Sequence, residues 1–79
     1  MLLSIKIDNV YADETISKTL IDVEVPNPPT EPDAHEDWAD EHLMPLTGTG
    51  RTHGEAGYFV EITAAEHPAL VGRTYEWGI

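Results

Sequence analysis

The sequence predicts an α+β domain: one amphipathic, acidic helix packed on a small antiparallel sheet of about four strands, in the order β-β-α-β-β. Three observations carry this expectation. Apolar and polar residues alternate near both ends of the chain, at the period of a half-buried strand. One central segment gathers its apolar residues at helical spacing, with carboxylates on the opposite side. Proline and glycine clusters punctuate the intervals between these segments. No repeat or composition break divides the chain, so residues 1–79 read as a single compact domain.

The first strand follows from Leu3, Ile5 and Ile7 on one face, with Ser4, Lys6 and Asp8 on the other. A turn over Ala12-Asp13-Glu14-Thr15 leads to a second strand, with Thr19, Ile21, Val23 and Val25 inward and Leu20, Asp22 and Glu24 outward. Pro26-Asn27-Pro28-Pro29 ends that strand, because proline cannot donate to a ladder. Thr30 is the expected N-cap of the helix, with Glu31-Pro32 in the first turn and Asp33 at the capping-box position. Around this helix His35, Trp38, Ala39 and His42 cluster on one side, and Asp33, Glu36, Asp37, Asp40 and Glu41 on the other. Pro45 stops it, and a glycine-rich loop from Gly48 to Gly57 surrounds Arg51 and His53. Tyr58, Val60 and Ile62 alternate with Phe59, Glu61 and Thr63 as a third strand. Arg73, Tyr75 and Trp77 share one face of a fourth.

Composition narrows the function. Fifteen Asp and Glu stand against four Lys and Arg, a net charge of −11 at pH 7. That balance excludes a basic nucleic-acid binder, since phosphate neutralisation needs lysine and arginine. The absence of cysteine removes disulfides, thiolate nucleophiles and zinc knuckles. No apolar run approaches the roughly 18 residues of a membrane span, and the N-terminus lacks a signal-peptide pattern, so a cytoplasmic location is expected.

Motifs for chemistry are missing. Thr47-Gly48-Thr49-Gly50-Arg51-Thr52-His53-Gly54 lacks the Lys-Ser/Thr pair of a phosphate loop and precedes a strand, not a helix. His35 and His42 lie about 10 Å apart along a helix, too far for one metal ion. The acids lack the spacing and central glycine of an EF-hand. Ser4 and Ser17 sit in strand patterns with no histidine neighbour. The expectation is a non-enzymatic protein without metal or cofactor.

One feature stands above background. No basic residue occurs between Lys18 and Arg51, while eight acids do, from Asp22 to Glu41. On the helix Asp33/Asp37, Glu36/Asp40 and Asp37/Glu41 are like-charge i, i+4 pairs, each destabilising by about 0.2–0.5 kcal/mol. A surface shaped only for stability would interleave lysines. The six carboxylates from Glu31 to Glu41 give about one charge per 2.7 Å of helix axis at 1.5 Å rise. Duplex DNA carries about one per 1.7 Å. A groove built for phosphate could therefore accept this helix.

In size, single α+β domain, lack of catalytic motifs and the acidic block from Asp22 to Glu41, the chain resembles small phage-encoded anti-CRISPR proteins. The resemblance implies a stoichiometric inhibitor in the bacterial host cytoplasm that occupies the Lys/Arg-rich nucleic-acid groove of a CRISPR surveillance complex. The partner-binding residues expected are Glu31, Asp33, Glu36, Asp37, Asp40 and Glu41, with Arg51 and Phe59 as secondary contacts. Monomer and homodimer both remain open. Lys at Asp37 and Asp40 is expected to leave the fold intact and abolish binding. The competing expectation is a structural or interaction subunit that binds through its sheet face or the glycine-rich loop, its acids serving only solubility, as in a halophile.

Overall fold

The computed structural model describes residues 1–48 and 56–78. Strands β1 (Leu2–Tyr11) and β2 (Thr15–Glu24) form an N-terminal hairpin, and β3 (Ala56–Ala65) and β4 (Thr74–Gly78) follow the helix α1 (His35–His42). All neighbours are antiparallel, in the sheet order β2-β1-β3-β4. This is the expected α+β architecture of four strands and one helix. β1 and β3 take the two central positions. Leu3, Ile5 and Ile7 are buried beside Val60 and Ile62 of β3. Trp38, Ala39 and Leu43 close the core from the helix side, joined by Val25 and Leu70. Each large side chain so buried contributes about 1.5–3 kcal/mol. Among the described residues no helix is long and apolar enough to cross a membrane.

The second strand departs from the expected alternation. Leu20 packs against the core, whereas Ile21 is 73% exposed. The cause is a bulge. Leu3 pairs with Val23 but Ile5 pairs with Leu20, so Ser4 stands opposite both Ile21 and Asp22. Asp22 takes the left-handed conformation, φ 55°, that such an extra residue needs. One inserted residue reverses the phase of a period-2 pattern, and Leu20 rather than Ile21 turns inward. A second bulge lies across from it on β3, where Ser4 pairs with Ala64 and Ile5 with Ile62, leaving Thr63 unpaired. Ser4 serves both. The Asp22 amide donates to its Oγ at 3.3 Å, and the Thr63 hydroxyl donates to its carbonyl at 3.2 Å.

The helix also begins differently. Thr30 is not its N-cap. The chain is still extended at Glu31 (φ −77°, ψ 120°), Pro32–Ala34 form a 3₁₀ turn, and α1 starts at His35 with no side-chain cap. Glu31 precedes Pro32, whose ring disfavours helical geometry at the residue before it, and this carries the entry past Thr30. Two rings secure that approach instead of a cap. Trp38 Nε1 donates to the Pro26 carbonyl at 3.0 Å, and His35 Nε2 lies 2.8 Å from the Pro29 carbonyl. At the other end a 3₁₀ turn at Met44–Leu46, containing Pro45, terminates the helix as expected.

Candidate partner-binding surface

All six expected partner-binding acids, Glu31, Asp33, Glu36, Asp37, Asp40 and Glu41, are exposed. They do not lie on one straight helix. Glu31 is extended, Asp33 belongs to the 3₁₀ turn, and only the other four ride on α1. Those four divide between two flanks. Glu36 and Asp40 border β4, where Trp77 Nε1 donates to Asp40 Oδ1 and Glu36 lies close enough to act electrostatically on Tyr75. Asp37 and Glu41 follow on the flank beyond, with Glu41 3.8 Å from His42 Nε2. The Trp77 bond makes Asp40 part of the link between helix and sheet. A lysine there would remove that acceptor, so a clean charge test belongs at Asp33, Asp37 and Glu41.

Almost nothing neutralises these charges. Of these six acids Glu41 alone makes an ion-pair contact among the described residues, with His42, and it exists only when the imidazole is protonated. Lys6, Lys18 and Arg73 stand beyond ion-pair distance of these six carboxylates. The acids thus face solvent with their charge uncompensated.

Of the secondary contacts, Arg51 and most of the glycine-rich loop lie outside the described residues. Phe59 is 42% exposed on the sheet face away from α1. Its ring also covers Gly57: a Cβ at that glycine would meet the ring at 3.5 Å. Phe59 therefore has a packing role within the sheet that accounts for part of its surface.

Two buried polar features lie outside the alternation-based expectations. Asn9 is fully buried in the inward phase of β1. Its Nδ2 donates to the Ile16 carbonyl at 3.1 Å, and its Oδ1 accepts the Gly48 amide at 2.7 Å, which fixes the start of the glycine-rich loop to the hairpin. The signal was present: a polar residue continues the series Leu3, Ile5, Ile7 at the same spacing. Tyr75 is the other. Its hydroxyl is buried with no hydrogen-bond partner among the described residues. Burial raises its pKa above 10.0, Glu36 adds to the rise, and Arg73 opposes it.

The β4 border is concave. An open depression of about 600 Å³ runs over this strand, with Glu36, Asp40 and Trp77 on the helix side and Phe59, Glu61 and Glu76 on the outer side. No family model matches the chain, and no curated protein or solved structure matches it.

Proposed function

We propose that the chain is a non-enzymatic inhibitor whose acidic surface occupies the Lys/Arg-rich nucleic-acid groove of a protein partner. The carrying observation is the exposed run from Glu31 to Glu41 with no lysine or arginine paired to it among the described residues. Two i, i+4 like-charge pairs on α1, Glu36/Asp40 and Asp37/Glu41, oppose helix formation by about 0.2–0.5 kcal/mol each. Selection for stability alone would have removed them. Arginine and lysine side chains that hold phosphate pair equally with carboxylate, and steering between opposite charges speeds association. The resemblance to anti-CRISPR proteins directs the reading to a CRISPR surveillance complex in a bacterial cytoplasm.

The test is competition. Purified surveillance complex is titrated with labelled target duplex, with and without an equimolar amount of the chain. The reading predicts displacement of DNA by the parent and none by the variant Asp33→Lys, Asp37→Lys, Glu41→Lys. Undiminished DNA binding in the presence of the parent would exclude this class of partner.

A further inference from the structure

We infer that the free edge of β4 is a strand-addition site for an extended, arginine- or lysine-rich segment of the partner. This deepens the reading above and rests on it in one respect, that the partner is basic.

Main-chain geometry comes first. The Ile62 amide donates to the Arg73 carbonyl at 2.9 Å, and the Gly72 amide donates to the Ile62 carbonyl at 2.8 Å. Ile62 thus directs its main-chain groups toward β4, and by antiparallel alternation Val60 and Tyr58 do the same. Their partners Tyr75 and Trp77 turn inward to β3, which leaves the main-chain groups of Thr74 and Glu76 pointing away from the sheet. Among the described residues no strand pairs with that edge.

Charge then selects the occupant. A strand added here sends alternate side chains to the two faces of the sheet. On the helix face they meet Glu36 and Asp40, with the Tyr75 and Trp77 rings stacked at 6.3 Å as a platform for a guanidinium. On the outer face they meet Glu61 and Glu76. Five carboxylates border the depression against Lys6 alone. Both alternating sets of side chains therefore favour cations. A second copy of this chain is a poor occupant, because edge-to-edge pairing of β4 would bring these same carboxylates together on two chains of charge −11.

The other edge is not equivalent. β2 carries Lys18 and the Asp22 bulge, two devices that discourage pairing. β4 has no lysine, proline or bulge within Thr74–Gly78.

The experiment is residue-resolved hydrogen exchange on the full chain with an eight-residue peptide alternating Arg and Thr. A second peptide has two adjacent central residues N-methylated, so that neither of its edges is intact. The expected result is slower exchange of the Thr74 and Glu76 amides by at least about tenfold, and binding of the methylated peptide weaker by about tenfold. Glu76→Lys should weaken the unmodified peptide about tenfold, and Asp37→Lys by less than about threefold. Equal binding of the two peptides, protection confined to α1, or no binding overturns the inference. Protection of Thr74 and Glu76 without peptide that grows with protein concentration also overturns it, in favour of self-association. Peptide protection of β4 in a chain that displaces nucleic acid from no basic partner upholds the strand site and removes the inhibitor reading.

Discussion

The two edges of the sheet differ in how they meet solvent. β2 is ten residues long, yet its pairing edge is interrupted by the left-handed Asp22 and carries Lys18. β4 is half that length, with regular register, and sits between the carboxylates of α1 and those of the outer face. An edge interrupted by a bulge and carrying a lysine discourages added strands. An edge bordered mostly by carboxylates, with Lys6 and Arg73 as the nearby cations, favours a basic strand over a copy of itself. The acids that look wasteful on the helix thus acquire a use beside β4: they select what the edge pairs with.

That contrast can be broken most severely at Gly78. Its φ is 102°, and a Cβ there would fall 2.2 Å from the Ala56 carbonyl oxygen. Gly78→Ala should cost about 2 kcal/mol or more and loosen β4 from β3, read by denaturant unfolding and faster exchange at Tyr75 and Trp77. Trp77→Phe comes next. It keeps most of the packing but removes the donor to Asp40, at a cost of about 1 kcal/mol in the same unfolding assay. If stability is unchanged, the helix-to-edge link is not energetically significant.

Tyr75→Phe should act in the opposite direction. Removing a buried hydroxyl that has no partner among the described residues leaves stability unchanged or raised by up to about 1 kcal/mol. It should also change the alkaline limb. The folded-state pKa of Tyr75 lies above its ordinary 10.0, so the neutral phenol favours folding below that pH. The contribution is lost as pH rises from 10.0 through the folded value, and the variant should lose less stability over that window. The smallest effect is expected from Glu41→Lys, which turns the Asp37/Glu41 like-charge pair into an opposite-charge one and should raise the unfolding free energy by a few tenths of a kcal/mol, about 0.2–0.5. The same change should lower affinity for a basic partner, with a salt dependence shallower than the parent's.

Much of this fold was legible because period-2 and period-3.6 patterns report burial directly. β1, β3 and the aromatic face of β4 follow their alternation, and Trp38, Ala39 and Leu43 face the core as their spacing requires. β2 was misread at Ile21 because a bulge leaves no mark in alternation except a phase slip. An aspartate in the left-handed region has no unique signature either. The start of the helix was misplaced at Thr30 because capping rules weigh local residue types, whereas Pro26 and Pro29 carbonyls bonded to Trp38 and His35 set the entry from a distance. The acids were visible as a run. Their division between a β4 flank and a solvent flank was not, since it depends on which strand lies beside α1.

In the proposed function these uncompensated carboxylates engage a nucleic-acid-handling partner. The most direct measurement is retention from bacterial lysate by the parent and by the Asp33→Lys, Asp37→Lys, Glu41→Lys variant, with retained proteins identified by mass spectrometry. Retention is compared at low and high salt and with competing duplex DNA. The expected result is nucleic-acid-binding proteins held by the parent alone and released by both salt and DNA. Retention of the same proteins by parent and variant, insensitive to DNA, would contradict it.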